Sequence, residues 1–342
     1  MILSMEEKFT STGIKFWRNP YQMKQYKTGG KNTIISTHVS PEGFCNLCCK
    51  YCSVSNRKTN NRIDLDVIKR YISDLKTRGL RAVIITGGGE PTIYPRINDL
   101  VQWIRYDADL SVSLITNGTL MDRMNEKTLK SFSWVRVSVN FFEGWEKRIV
   151  IPHGLLDEKC ILGCSFIYCA GDEDRFGDVV RFSDKIKARY VRVLPDCCLP
   201  QKELLKQHEM LLEIIDKYHD LKLFHQNKIH QPPYSSICHQ AYFRPYLSEE
   251  IFLGNREPGA VYPCDSVVLN NPHKRFVEDY QICHAKDVLD FVDGNIEMKF
   301  DPTEKCKGCV FTKNVNLLQE WKNRGINRFN EFKEPITHEE FV

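Results

Sequence analysis

Apolar positions along the chain follow two different periods from residue 31 onward. Short, nearly continuous runs of β-branched and aliphatic residues alternate with stretches in which apolar residues recur every three or four positions. The first pattern predicts strands covered on both faces, the second amphipathic helices. Runs at 34–39, 80–86, 110–116, 134–140, 161–169 and 190–194 predict strands. Helices are predicted over 64–78, 97–106, 122–131, 175–187 and 201–218. In the first of them Leu65, Ile68, Ile72 and Leu75 share a face, and Gly79 stands at the C-terminal stop. Strands alternating with helices imply right-handed crossovers and a parallel sheet. An open doubly wound sheet and a partial barrel both satisfy this pattern. Both put chemistry at the C-terminal ends of the strands.

The pattern divides the chain. Residues 1–30 are polar and basic, end in Thr28-Gly29-Gly30, and read as a peripheral N-terminal arm. Residues 31–225 carry the alternating α/β unit. Residues 226–342 lose the alternation, are rich in aromatics, prolines and turns, and read as a small Cys-rich α+β extension. Composition adds little: 42% hydrophobic and 27% charged residues are ordinary for a globular chain, and a net charge of +4 is too weak to argue for nucleic acid. There is no Gly-x4-Gly-Lys phosphate loop, and His208-Glu209 lacks the second histidine of a zinc protease. No secretory signal is visible, and no apolar run approaches the roughly 20 residues that span a bilayer. A chain with 14 cysteines and no export signal is expected in the reducing cytoplasm, with metal ligation in place of disulfides and no membrane partner.

The cysteines fall where strands end. Cys45, Cys49 and Cys52 follow the first strand, and three thiolates can hold three irons of a cube while leaving the fourth open. Cys48 opens a second reading, in which Cys45/Cys48 and Cys49/Cys52 are two pairs for zinc. The second strand ends in Thr86-Gly87-Gly88-Gly89-Glu90-Pro91. Glycines let backbone approach a ligand closely, and Glu90 offers a carboxylate to a cationic group. In the fourth strand Arg136, Ser138 and Asn140 alternate with Val135, Val137 and Val139. A period of two sends the valines toward the helices and the polar set toward the interior of the fold.

These motifs together resemble the radical S-adenosylmethionine (radical SAM) enzymes. The signature there is Cys-x3-Cys-x2-Cys with an aromatic before the last cysteine, the place of Tyr51, and Cys45-Asn46-Leu47 matches the usual opening. The resemblance implies a partial (β/α)6 TIM-like barrel and a [4Fe-4S] cluster on Cys45, Cys49 and Cys52. It implies S-adenosylmethionine with its amino group at Gly88, Gly89 and Glu90. Thr116-Asn117-Gly118 is similar to another recurring element of the family, which brings in Asn117. Tyr51 belongs to the same cofactor site, and Ser138 and Asn140 are candidates for its ribose or carboxylate. The implied chemistry is reductive cleavage of the cofactor to a 5′-deoxyadenosyl radical that takes a hydrogen from the substrate. A flavodoxin or ferredoxin would supply the electron.

Cys238, Cys264, Cys306 and Cys309 supply four thiolates, a complete set for a second, closed cluster. With Gly259 five residues before Cys264, the pattern resembles the twitch domain, the short relative of the SPASM domain, and implies an auxiliary [4Fe-4S] cluster. Cys283 competes with Cys238, and a zinc knuckle on the same four residues is the alternative. Cys160, Cys164 and Cys169 read as core packing. Cys197 and Cys198, just past the sixth strand, are candidate hydrogen-atom donors to a substrate radical. The function expected is oxidation or epimerisation of a peptide or small molecule. Nucleotide modification is the alternative within the class, and a zinc-stapled, non-catalytic binding protein is the alternative outside it.

Overall fold

A computed structural model of the chain describes residues 3–55, 60–139, 141–155, 159–218, 222–226, 232–269, 277–306, 309–332 and 334–342. All the strands expected between 34 and 194 form and run parallel: β1 Ser36–Val39, β2 Ala82–Ile85, β3 Ser111–Thr116, β4 Phe132–Val139, β5 Ile161–Tyr168 and β6 Tyr190–Pro195. A further parallel strand, β7 Leu223–His225, extends this side of the sheet.

The helices between them follow the sequence with two local changes. The first runs Leu65–Lys76, capped by the Asp64 side chain accepting from the Asp66 N–H, and buries Leu65, Ile68, Tyr71, Ile72 and Leu75. The stretch expected over 97–106 is a helix Ile97–Gln102 that widens into a π-helical turn, Trp103–Asp107. The one expected over 122–131 shrinks to Glu126–Leu129, because Asn125 caps it by accepting from the Thr128 N–H and so starts a new helix there.

The C-terminal extension continues the same sheet. Strand β8 (Tyr246–Ile251) pairs parallel with β1, β9 (Pro258–Tyr262) pairs antiparallel with β8, and β10 (Cys283–His284) pairs antiparallel with β9. The order is β10-β9-β8-β1-β2-β3-β4-β5-β6-β7, an unclosed curved sheet in which β1 and its cysteine loop sit well inside the edges.

The alternation of β4 has the expected consequence. Val135, Val137 and Val139 are buried in the main core, while Arg136 and Ser138 line a cavity on the inner face. A small cluster of Ala82, Ile84, Trp134 and Phe341 plugs that face near the start of the strands. The N-terminal arm builds a second core. Ile14, Phe16, Trp17, Met23 and Tyr26 are buried against Phe243, Leu318, Trp321 and Phe332, and the Trp321 indole donates to the Met23 carbonyl at 3.0 Å. Phe9 stacks on Tyr190 of β6 with ring centroids 4.4 Å apart. Among the described residues no helix is long and apolar enough to cross a membrane.

Candidate active site

The cysteine loop leaves β1 and returns beside its own start. Ile63 N donates to Pro41 O at 3.1 Å, Gly43 N to Asn61 O at 2.9 Å, and Arg62 pairs with the buried Glu42 at 2.6 Å. Between these clamps Cys45, Cys49 and Cys52 are half-buried, whereas Cys48 is exposed. Burial first, then the neighbouring Cys52 and Cys45, pushes the Cys49 thiol up to about 11. Three thiols within electrostatic reach of one another give up their protons together only with positive charge among them, which iron supplies. The donor set therefore fits an iron–sulfur cluster.

The Gly87–Glu90 turn is stitched to this loop. Gly89 N donates to Glu42 O at 2.9 Å and Glu90 N to Phe44 O at 2.8 Å. Each glycine meets a different neighbour. A Cβ on Gly87 would lie 2.0 Å from the Gly89 carbonyl oxygen, on Gly88 1.9 Å from Glu249 Oε1, and on Gly89 2.1 Å from the Phe44 carbonyl oxygen. No side chain fits at any of the three without moving the cysteine loop, the turn or a buried carboxylate.

Glu90 is buried, and protein donors already engage its carboxylate. Oε1 accepts from Thr92 N at 3.1 Å, Thr92 Oγ1 at 2.7 Å and Thr116 Oγ1 at 2.5 Å, and Oε2 accepts from Asn117 N at 2.8 Å. Burial raises its pKa and these bonds oppose the rise. Asn117 carries the link onward. Its Nδ2 donates to Asn46 Oδ1 at 2.9 Å, and its Oδ1 accepts from Thr119 N at 3.0 Å. The ends of β1, β2 and β3 thus form one hydrogen-bonded unit.

Below this unit lies a cavity of about 710 Å³. Tyr51, Gly87, Ser138 and Cys197 line it, as do Asp265 and Val310, the residues next to Cys264 and Cys309. Tyr51 is hydrogen-bonded to Cys49, and burial followed by the Cys49 charge raises its phenol pKa. Asn140 lies outside the described residues. The Cys198 thiol donates to the Tyr51 carbonyl at 3.5 Å. Of the cysteines expected in the core, Cys164 is fully buried there. Cys169 is half-buried at the end of β5, pushed up to about 12 by burial, Asp196 and Asp172, and within reach of Cys49.

Cys238 and Cys264 are buried, Cys306 and Cys309 half-buried. Burial raises the pKa of Cys238 first, and Cys264, Cys309 and Cys306 add to the rise; Cys264 feels Cys309 and Cys306 likewise. Cys283 stands on β10, where Asp287 and Asp290 are the charges that act on it. Among the described residues no three His, Cys, Asp or Glu side chains converge closely enough to hold a single metal ion. The four thiols are neighbours without forming a mononuclear site.

The alternation of β4 placed Arg136 inward, but sequence reasoning passed over Arg192 and Glu249. Arg136 and Arg192 project from β4 and β6 into the cavity. Glu249 on β8 is buried against Gly88, and burial pushes its carboxyl up to about 7 against the lowering effect of the Ser40 and Ser248 hydroxyls. For Arg192 the available signal was a single charged residue within an apolar strand; Glu249, in the run Ser248-Glu249-Glu250, offered none.

Residues 39–152 match the family model described as "Radical SAM superfamily". Among curated proteins, an S-adenosylmethionine-dependent nucleotide dehydratase of Selenomonas ruminantium is 36% identical over 87 residues, covering 25% of this chain and 30% of that protein. A probable GTP 3′,8-cyclase of Pyrococcus abyssi is 28% identical over 170 residues, covering 45% of this chain and 55% of that one. The chain spans only 28% to 55% of the first such relatives. Among solved structures, native anSMEcpe with bound AdoMet superposes with a TM-score of 0.54 at 16% identity, covering 82% of this chain and 88% of that one. SuiB of Streptococcus suis bound to precursor peptide SuiA gives a TM-score of 0.52 at 17% identity, covering 89% and 77%. The fold is that of these structures, a partial TIM-like barrel with an unclosed sheet.

Proposed function

We propose that the radical SAM superfamily domain matched over residues 39–152 works as a radical enzyme, with one cluster on Cys45, Cys49 and Cys52 and an auxiliary cluster on Cys238, Cys264, Cys306 and Cys309. When bound, the first cluster and S-adenosylmethionine supply an electron-driven C–S cleavage and a 5′-deoxyadenosyl radical that takes a substrate hydrogen. The observation that carries this reading is the cavity shared by Tyr51, beside the first thiol group, and Asp265 and Val310, beside the second. A substrate there lies between the two groups.

The chain's own residues have definite tasks. The bonds through Glu90 and Asn117 hold the cysteine loop and the glycine turn in one geometry before the cofactor arrives. Of the glycines, Gly87 lines the cavity and Gly89 is half-buried, and their backbone carbonyls are the ones offered to the methionine amino group, while Gly88 is buried. Ser138 offers a hydroxyl to the cofactor from β4. Tyr51 and the arm around Phe9 screen the cavity from water. Cys197, which lines the cavity, is the better-placed hydrogen donor, and Cys198 packs behind Tyr51. The reaction is an oxidation or epimerisation, with a flavodoxin- or ferredoxin-type donor in the cytoplasm.

The substrate is a peptide or small molecule. A second reading, nucleotide modification, is favoured by the arginines of the cavity and by the names of the sequence relatives, a nucleotide dehydratase and GTP cyclases. The test is iron and sulfide per chain after anaerobic reconstitution. Wild type should hold about eight irons, and the Cys45/Cys49/Cys52→Ala variant about four, as two cubes require. Zinc without sulfide would replace the enzyme by a zinc-stapled binding protein.

A further inference from the structure

The inner face of the barrel carries positive charge that its own acids do not balance. Arg192 on β6 lines the cavity with its guanidinium held from two sides: Nη1 donates to Gln226 Oε1 and Nη2 to Ser165 Oγ, both at 3.1 Å, and its buried Nε has no partner. Arg136 on β4 is 6% exposed, with Nε donating to the Tyr190 hydroxyl at 3.0 Å and Nη2 to the Phe9 carbonyl at 2.8 Å. Its guanidinium lies over the Trp134 and Tyr190 rings. Every one of these partners is neutral. Among the described residues neither arginine forms an ion pair, whereas Arg244 in the same cavity is matched by Asp265.

The two guanidinium groups feel one another. Burial, and next the charge of Arg136, lowers Arg192 to about 9. Lys15 from the N-terminal arm also lines the cavity, buried, with Nζ donating to the His338 and Phe341 carbonyls at 3.1 and 3.3 Å. Acids act on them only from a distance, Asp265 on Arg192 and Glu340 and Glu339 on Lys15. Like charges held away from water with only neutral hydrogen-bond partners are costly to keep, and a fold retains them at a site where an anion completes them.

Resting on the radical-enzyme reading above, we propose that the substrate is a phosphorylated small molecule whose phosphate group is seated between Arg136 and Arg192. Two uncompensated positive charges match one doubly charged phosphate, and a guanidinium fork fits its oxygens two at a time. A peptide would have to bring two acidic side chains to the same spot. The register sets the orientation. Ser138, Ser165 and Arg192 are cross-strand partners on β4, β5 and β6, and Arg136 with Tyr190 lies one inward step closer to the strand starts. The seat is therefore deep, and the rest of the substrate extends upward toward Tyr51 and Gly87, where the reacting carbon belongs.

The test is calorimetric titration of the anaerobically reconstituted protein. The probes are the common nucleoside triphosphates, glucose 6-phosphate and inorganic pyrophosphate, each ester run beside its dephosphorylated parent. At least one ester should bind, its parent at least tenfold more weakly, with affinity falling as salt rises. Arg192→Gln should weaken that ester at least tenfold at unchanged iron content and melting temperature, and Arg192→Lys should recover part of the loss. No binding by any ester, equal binding by the parent, binding of pyrophosphate alone, or indifference to Arg192→Gln would each overturn the proposal. So would an acidic peptide that binds and depends on Arg192. Iron content and cofactor cleavage, measured on the same wild-type preparation, report separately on the radical reading.

Discussion

The Glu90 carboxylate accepts the Asn117 N–H at 2.8 Å, joining the turn after β2 to the end of β3. Glu90→Gln keeps the shape but sets an amide donor against donors from Thr92, Thr116 and Asn117. A buried donor facing donors costs about 1–3 kcal/mol. The variant should unfold at correspondingly lower denaturant and bind S-adenosylmethionine more weakly by equilibrium dialysis. Unchanged values for both would show that the carboxylate does not organise the site.

Gly88 and Glu249 should behave as a pair. The methyl group of Gly88→Ala would fall 1.9 Å from Glu249 Oε1, and overpacking of this kind costs about 1–3 kcal/mol. Glu249→Ala removes the obstacle. A double-mutant cycle in chemical denaturation should therefore show the second substitution recovering much of the first one's loss, a coupling of about 0.5–3 kcal/mol. Strict additivity would place the clash elsewhere.

Glu249 should also give stability a pH dependence. Its folded pKa is raised from 4.5 to about 7 by burial. Between those values the folded state holds the proton more tightly than the unfolded chain. Its contribution is thus complete below about 4.5 and is lost as pH rises through about 7, roughly 3 kcal/mol in all. Glu249→Gln should lack this fall and gain on wild type as pH rises across the window. Parallel curves for the two proteins, followed by denaturant midpoint, would rule Glu249 out as the source.

The C-terminal thiols are separable by iron content. Cys309→Ser should lower iron by about four atoms per chain. Cys283→Ser, whose charged neighbours are Asp287 and Asp290, should leave iron unchanged. The reverse result would exchange their roles.

The two cysteines past β6 are told apart by isotope. If a thiol returns a hydrogen atom to the substrate, Cys197→Ala should abolish solvent deuterium in the product at intact cofactor cleavage. Cys198→Ala should retain it, because that sulfur faces the Tyr51 carbonyl.

Much of this arrangement is legible in the chain because its signals are local. Cysteine spacing, a glycine run and the two-residue alternation of β4 each act within ten residues or so, and the strands put them at one end of the sheet. What was not legible depends on distant partners. Nothing near Glu90 reveals that Thr116 and Asn117 will occupy its carboxylate. Nothing near Glu249 announces Gly88. The arm's apolar residues, Phe16, Trp17, Met23 and Tyr26, lack a clean period, so their burial against Trp321 and Phe332 has no sequence signature. Arg192 interrupts an apolar strand singly, and only the pairing of β4, β5 and β6 brings it to the same face as Arg136.

The pairing of β1 with β8 also bears on how the molecule is made. Ser40, at the base of the cysteine loop, donates its N–H to Leu247 O at 2.8 Å, and Ile35 donates to Phe243 O at 2.9 Å. A chain emerging from the ribosome N-terminus first exposes its first three thiols long before these partners exist. Contacts so remote in sequence close slowly. The surroundings of the first three thiols are consequently complete only once residues 243–247 have been synthesised, so a cluster held by those thiols would be inserted late.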